Sequence, residues 1–295
     1  MSVITFYEIL LPVEIQKISV NWEVCMSSCL FRLSSVFTTV TCLFLTCCII
    51  ILSIPEAVSQ TTDDNYNEGK NLSSYTVTRT TGTINIDGRL DETDWQRAIE
   101  APLKETNTGK DVPLKSTAKF LWDDTFLYVG FYCEDPDAWA TVLEEDGPLW
   151  QEEVVELFID PDGNGYNYYE HEINPVNVKV DLFVINTGSR LKGKIEGWFE
   201  WDFKNIKSEV YVVGDGKNSG TKDEYWTVEV AVPFDDLWEV PHSPPEDGDM
   251  WRMNVYRIER GGPENKEDDW YAAFSPTLRP SFHTPWQFGK IYFKK

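Results

Sequence analysis

Short runs in which apolar and polar residues alternate dominate the chain from about residue 75 onward. In the run 225–232, every second residue from Trp226 to Val232 is a large apolar one. This period of two predicts a strand with one face in a core. Similar runs lie at 117–122, 126–134, 153–160, 168–185, 251–258 and 287–293. Turn signals such as Asp123-Asp124 separate them, so we predict an all-β fold: an antiparallel, jelly-roll-like β-sandwich with one or two short helical turns.

Two short elements are predicted ahead of these runs. Residues 84–86 have the alternation of a brief strand that enters a turn at Gly88. Residues 91–98 predict a helical turn, with Asp91 as its N-cap and Trp95 pointing into the core.

The first 59 residues differ from the rest of the chain. Residues 36–54 are almost wholly apolar, Arg32 lies just upstream, and Ala57-Val58-Ser59 is a small-x-small exit. These three features predict a signal peptide over residues 1–59, cleaved before Gln60, and a secreted protein that is extracellular or periplasmic. Met26 would give a more usual signal length than Met1. The alternative is that the apolar run is retained as an anchor, which would place the domain at the cell surface.

The residues that follow position 59 are predicted to contain one folded domain. Residues 60–74 are polar and are predicted to be a flexible linker, and residues 75–295 form the β-sandwich domain. Of the six cysteines, only Cys133 lies beyond the predicted signal peptide. The domain therefore has no internal disulfide and depends on its apolar core for stability.

Acidic residues strongly outnumber basic ones. The chain has 49 Asp and Glu against 26 Lys and Arg, a formal net charge of −23. Such a chain is repelled by nucleic acid and by anionic lipid. Nucleic acid is thus not expected as a partner, and a membrane is expected only if the apolar segment is retained. Neutral glycans and divalent cations remain as partner classes.

The run 150–160 carries candidate binding chemistry. Trp150 ends an acidic loop that contains Gly and Pro, which places it near the surface, and Glu156 lies on the strand that follows. An indole beside a strand-borne carboxylate suits a sugar, because C–H faces stack on aromatic rings and hydroxyls donate to fixed acceptors. The alternative left open is a core tryptophan beside solvated glutamates.

The loop 160–165 is a candidate calcium site. Asp160, Asp162 and Asn164 supply oxygens at alternate positions, and glycines allow the chain to turn. An EF-hand would need a glutamate at the twelfth position, where this chain has His171. A looser calcium site and a plain turn rich in Asp and Asn therefore both stay open.

Six segments, in order along the chain, carry a family resemblance. They are 86–92 with Trp95, 120–129, 150–160, 226–233, 254–257 and 282–289. With these segments the chain resembles the family 9 carbohydrate-binding modules and their DOMON-like relatives. The resemblance implies a β-sandwich that binds the ends of cellulose, xylan or related plant-type chains between two aromatic faces, with structural calcium nearby.

The resemblance also implies roles for individual residues. Trp150 matches the family's first aromatic residue, Glu156 its strand glutamate and Phe282 the position of its second aromatic residue. Glu172 falls where the family has a sugar-binding arginine, so an acid replaces a base. Arg279 lies close to Phe282 in sequence, and we expect it to supply a replacement donor.

Other functions fit the residues less well. Haem, known among DOMON-like folds, would need axial ligands drawn from His171, His242, His283, Met250 and Met253; we expect none to bind haem, and expect His283 simply to pack. A glycosidase needs two carboxyls at a defined separation, one with a raised pKa, and a sequence cannot show such a pair. We therefore predict a non-catalytic carbohydrate-binding domain that is auxiliary to polysaccharide catabolism. The alternatives are a glycoside-hydrolase-associated subunit that acts on O-glycosyl compounds, and a cell-surface interaction domain without sugar affinity.

Overall fold

The computed structural model describes Gly69 and residues 71–187, 194–263 and 266–295. The predicted signal peptide, residues 1–59, and most of the predicted linker lie outside these described residues. The end of that linker already belongs to the folded part, since the backbone N–H of Lys290 donates to the carbonyl of Ser73 at 2.9 Å. No helix within the described ranges combines the length and the apolar character needed to cross a membrane.

Strands make up most of the regular structure. In chain order they are β1 (Ser74–Arg79), β2 (Ala101–Pro102), β3 (Lys104–Glu105), β4 (Ser116–Trp122), β5 (Phe126–Glu134), β6 (Val154–Asp160), β7 (Asn167–Ile173), β8 (Lys179–Thr187), β9 (Lys194–Trp198), β10 (Lys207–Val213), β11 (Tyr225–Pro233), β12 (Met250–Glu259), β13 (Trp270–Ala273) and β14 (Gly289–Lys294). One short helix, α1 (Thr93–Arg97), and 3₁₀ turns at Leu149–Gln151, Phe234–Asp236 and Pro285–Gln287 complete the described elements.

The predicted all-β fold is confirmed, and each long alternating run is a strand or a strand pair. Two local predictions are wrong. Residues 84–86 form no strand, and α1 begins at Thr93 with Glu92 as its N-cap and no side-chain cap, so Asp91 does not cap it. The alternation also did not predict β9 and β10, which lie at the two edges of the sheet.

All strands belong to one hydrogen-bonded sheet that folds back on itself. Its order is β10-β11-β5-β4-β1-β14-β12-β6-β7-β8-β9, with β2, β3 and β13 attached at the side. Most neighbours are antiparallel, but β1 runs parallel to both β4 and β14. The first strand therefore joins the two halves of the sandwich, an arrangement that the antiparallel prediction did not include.

The core lies between the two halves. From one half β11 contributes Trp226 and the valines that alternate with it, and from the other β6 contributes Val155, Leu157 and Ile159; all belong to one buried cluster. Cys133 is buried in the same cluster as a free thiol. The inward faces match the period of two in the sequence, so core packing fixes which side of each strand faces outward.

The outward face of β11 is covered by the turn before α1 and by α1 itself. The carboxylate of Glu229 accepts hydrogen bonds from the backbone N–H of Asp87 at 2.8 Å, the N–H of Gly88 at 2.7 Å and the indole Nε1 of Trp95 at 2.7 Å. Gly88 has φ +83°, and a Cβ there would lie 2.7 Å from the backbone nitrogen of Tyr211. One buried carboxylate on β11 thus holds the turn at residues 87–88 and the neighbouring α1, which lie far from it in sequence.

Candidate functional site

A cleft of about 710 Å³ opens on the outward face of the half-sheet that contains β6, β7 and β8. Its floor consists of Glu156, Phe158, Glu170, Glu172, Leu182 and Val184. Strand register brings these side chains together. Glu156 lies opposite Glu172 and Phe158 opposite Glu170 across β6 and β7, and Glu170 lies opposite Leu182 across β7 and β8. Because the alternate residues of β6 fill the core, these residues must face outward.

Aromatic side chains line the cleft above this floor. Trp150 lies in the 3₁₀ turn before β6 and is 40% exposed, with its ring centroid 6.4 Å from that of Phe199. The ring of Phe282 stacks on Tyr256 with centroids 4.2 Å apart and an interplanar angle of 4°. The predicted surface position of Trp150 is therefore confirmed. Phe282 offers a fixed ring because one of its faces is already packed.

Three glutamates of the floor are buried. Glu156, Glu170 and Glu172 are only 3%, 5% and 2% exposed, so the alternative of solvated glutamates in the run 150–160 is wrong for Glu156. Glu170 and Glu172 are two residues apart on β7 and therefore share a face. The sequence analysis singled out Glu172 and missed Glu170, although the period of two already placed them side by side.

Burial changes the protonation of all three acids. Desolvation first, and then repulsion from Glu172 and Glu170, raises the pKa of Glu156 well above its usual range. Desolvation followed by repulsion from Glu172 does the same to Glu170. Desolvation raises the pKa of Glu172 to about 7. At neutral pH Glu156 and Glu170 are therefore held as acids, which donate as well as accept hydrogen bonds, while Glu172 is divided between its two forms.

One arginine, Arg260, lines the cleft. Its guanidinium donates to the carboxylate of Asp269 at 2.6 Å, the hydroxyl of Tyr271 at 2.9 Å and the backbone carbonyl of Trp150 at 2.5 Å. Arg260 therefore holds the backbone of Trp150 in place. The sequence analysis missed this residue, because the ion pair and the contact with Trp150 join segments that are distant in the chain.

The predicted role of Arg279 is not supported. Arg279 is exposed and does not line the cleft. Its guanidinium carbon lies 5.4 Å from the ring centroid of Trp286. Closeness to Phe282 in sequence does not bring the two side chains to the same site, since the loop turns between them through a hydrogen bond from the Ser281 N–H to the Arg279 carbonyl at 2.8 Å.

The loop predicted to bind calcium lies at the end of β6, outside the cleft. The carboxylate of Asp160 is buried and accepts from the N–H of Gly163 at 3.0 Å and of Gly165 at 2.9 Å. Asp162 accepts from the N–H of Asn164 at 3.0 Å. The loop thus closes through its own hydrogen bonds, as a turn rich in Asp and Asn does. Elsewhere in the described residues, two groups of three acidic side chains each bring their oxygens within 4.8 Å of one another. They are Asp135, Glu153 and Glu259, and Asp146, Asp181 and Asp202.

Calcium binding at Asp160, Asp162 and Asn164 stays a prediction. Carboxylate oxygens have lone pairs beyond those used in the turn, and a cation that binds only the native state stabilises it by mass action. We expect the melting temperature to fall in EDTA and to recover with excess calcium. Magnesium, which demands a tighter octahedral shell, is the control ion. Superimposable melting curves in EDTA and in calcium would rule out a structural ion.

The histidines named in the sequence analysis occupy separate places. His171 is buried on the core side of β7 and packs against Phe203. His283 lines the cleft, where its Nδ1 lies 2.8 Å from the hydroxyl of Tyr168 and its ring packs 5.4 Å from that of Phe158. His283 thus packs as expected, and it orients the Tyr168 hydroxyl at the edge of the floor.

Comparison with known proteins places this site in a family context. Residues 86–295 match the family described as carbohydrate family 9 binding domain-like. Endo-1,4-beta-xylanase A of Thermotoga maritima is 33% identical over 110 residues, which are 37% of this chain and 10% of the xylanase. Endo-1,4-beta-xylanase C of Paenibacillus barcinonensis is 31% identical over 148 residues, 49% of this chain and 13% of the xylanase. The chain thus spans about a tenth of the length of these relatives.

Solved structures share the fold. A Bacteroides uniformis protein for which carbohydrate binding has been suggested has a TM-score of 0.59 at 17% identity, over 76% of this chain and 100% of its own. A family 9 carbohydrate-binding module from Caldicellulosiruptor kristjanssonii, in complex with cellotriose, has a TM-score of 0.51 at 15% identity, over 75% of this chain and 94% of its own. The family match covers all strands from β2 to β14 and every residue of the cleft. This chain belongs to the carbohydrate family 9 binding domain-like family.

Proposed function

We propose that this domain binds oligosaccharide or polysaccharide chains in the cleft beside Trp150 and does not transform them. The observation that carries the proposal is an exposed indole next to buried strand carboxyls, in a cleft large enough for a small sugar. Apolar pockets with a few polar groups at fixed positions are the usual form of such sites. Within the cleft, Trp150 and Phe282 supply stacking faces, and Glu156 and Glu172 supply hydrogen-bonding groups.

The relatives support a role in polysaccharide breakdown. The curated relatives are xylanases, and the Caldicellulosiruptor module has been solved with cellotriose and with glucose. Cello- and xylo-oligosaccharides are therefore the ligands to test first. Isothermal titration calorimetry of the domain with cellotriose and xylotriose should give saturable binding, with a negative heat-capacity change because apolar surface is buried. If neither cellotriose nor xylotriose gives a saturable binding isotherm, the proposal for plant-type chains is wrong.

Binding and hydrolysis make different demands on the cleft acids. A glycosidase uses two carboxyls whose environments push their pKa values apart, so that one stays protonated and the other ionised. Here desolvation is the main cause of a raised pKa in all three acids, well above the usual range for Glu156 and Glu170 and about 7 for Glu172, so an assay of the products has to distinguish the two functions. Incubation with the same oligosaccharides, followed by an assay for new reducing ends, separates the two functions.

We further propose that the domain acts outside the cell after removal of the predicted signal peptide. The support is the apolar run 36–54 followed by Ala57-Val58-Ser59. N-terminal sequencing of the exported protein should begin at or near Gln60. A full-length product that stays with the membrane fraction would contradict cleavage and favour an anchor.

A further inference from the structure

Two of the buried carboxyls in the cleft depend on a shared proton. Within the described residues, Oε2 of Glu170 and Oε2 of Glu172 have no N–H or hydroxyl donor, although both side chains are almost fully buried. A hydrogen bond between the two side chains requires one of them to be protonated. When that proton is lost, a buried acceptor is left without a donor, which costs free energy. These oxygens are close to the open volume of the cleft, which both residues line. A ligand that brings hydrogen-bond donors would remove that cost.

The guanidinium of Arg260 in the cleft already donates hydrogen bonds to groups of the protein. Arg260 is the one Lys or Arg among the lining residues that the structure describes. Three groups of the protein accept from it: the Asp269 carboxylate, the Tyr271 hydroxyl and the Trp150 carbonyl. Three buried carboxyls thus share one guanidinium, whose two Nη atoms already donate to other groups.

We propose that the cleft selects a sugar carrying a protonated amino group, a glucosamine-type glycan, over its neutral counterpart. This inference rests on the proposed function and names the sugar class for the same site. An ammonium group has three donors and no acceptor, which matches a set of acceptors. It also brings a positive charge to the carboxyls, whereas a neutral hydroxyl supplies one donor and no charge. Hydrogen bonds to charged groups are stronger than those between neutral groups.

A metal ion is a weaker match to these carboxyls. The groups of three acids that bring their oxygens within 4.8 Å of one another lie elsewhere in the described part of the chain. Glu156, Glu170 and Glu172 are not among them. An amine on a sugar ring can contact two carboxyls while the ring stacks on Trp150, and it does not require all three oxygens to converge on a point.

The raised pKa values predict that protons are released when an amino sugar binds. In the empty cleft, burial and mutual repulsion keep the acids protonated to higher pH. A bound ammonium favours their charged forms, so its binding lowers their pKa and releases protons. Affinity for an amino sugar should therefore rise with pH until the amine itself deprotonates. The other titratable groups that line or adjoin the cleft are Arg260, His283, Tyr168, Tyr256 and Tyr271.

The test is calorimetry with three trisaccharides of the same β-1,4 backbone, in EDTA to exclude metal ions. Glucosamine trimer should bind roughly tenfold more tightly than cellotriose, and the N-acetylated trimer, which lacks the charge, should lose that advantage. Repeating the titration in buffers of different ionisation enthalpy should show proton release for the glucosamine trimer. Equal or weaker binding of the glucosamine trimer overturns the inference. If cellotriose still binds, the proposed function stands; if no trimer binds, both fail.

Two isosteric variants test the acids themselves. Glu170→Gln and Glu172→Gln should each reduce affinity for the glucosamine trimer by roughly tenfold more than they reduce affinity for cellotriose, because only the ammonium group depends on the charge of the carboxyl. Glu209→Gln removes an exposed acid from β10, at the far edge of the sheet, and is the matched control for net charge. Circular dichroism confirms folding of each variant. Equal losses for both sugars, or a loss in Glu209→Gln as large as in the cleft variants, would overturn the inference.

Discussion

Trp150→Ala should weaken oligosaccharide binding roughly thirtyfold while the domain stays folded. Trp150 is 40% exposed and lies in a short turn at the rim of the cleft. Removal of a central aromatic contact commonly costs about 2 kcal/mol or more of binding free energy, which corresponds to that loss of affinity. Little core packing is lost, so the melting temperature should change little. Calorimetry with the tightest-binding trisaccharide measures the first effect and a thermal melt the second.

The matched control is Trp238→Ala. Trp238 is 47% exposed and packs on Phe183 and Trp198, and it does not line the cleft. Its removal should leave sugar affinity unchanged within experimental error. Equal affinity of wild type and Trp150→Ala would mean that the sugar site lies elsewhere. A collapse of the melting temperature in Trp150→Ala would instead make Trp150 a structural residue.

Glu229→Ala should destabilise the domain by about 3 kcal/mol or more. The substitution leaves the backbone N–H groups of Asp87 and Gly88 and the indole N–H of Trp95 without their acceptor. Each buried donor without a partner costs about 1–3 kcal/mol. Urea denaturation monitored by tryptophan fluorescence gives the free energy of unfolding, and the midpoint should fall with little change in slope.

Glu209→Ala is the control for this prediction. Glu209 lies directly opposite Glu229 on the neighbouring strand β10, but it is exposed. Exposed substitutions of this kind usually change stability by less than about 0.5 kcal/mol. Similar midpoints for Glu229→Ala and wild type would show that the three donors find water or other acceptors, and that the carboxylate does not hold α1 to the sheet.

Alternation predicted the strands that have one buried and one outward face, and it failed at the edges. In β11 the large residues that begin with Trp226 all enter the core, so the period was visible in the sequence. In β9 most residues are exposed, and β10 is only partly buried. An edge strand of this sort packs against little, so no apolar period is required of it. The alternation at residues 84–86 was interpreted as a strand, but Ile84 packs against Trp95 of α1 without pairing in the sheet.

Parts of the site that depend on one strand could be predicted, and parts that depend on how loops meet could not. Trp150 lies in the turn that leads into β6, and Glu156 lies on that strand, so both could be assigned to one end of the strand from the sequence. Glu170 followed from the same geometry but was overlooked beside Glu172. Arg260 reaches Trp150 because β12 pairs with β6, and Asp269 lies beside it because β12 also pairs with β13. Arg279 was assigned to the site only because it is close to Phe282 in sequence, and its side chain does not line the cleft.

The position of β1 has a consequence for how the chain folds. β1 completes the sheet only when it inserts between β4 and β14, and β14 is the last strand of the folded unit. A chain whose first and last strands must pair has a high contact order, so it closes a very long loop before those contacts form and folds in milliseconds to seconds rather than microseconds. During synthesis, the sheet therefore cannot be completed until the final strand has been made.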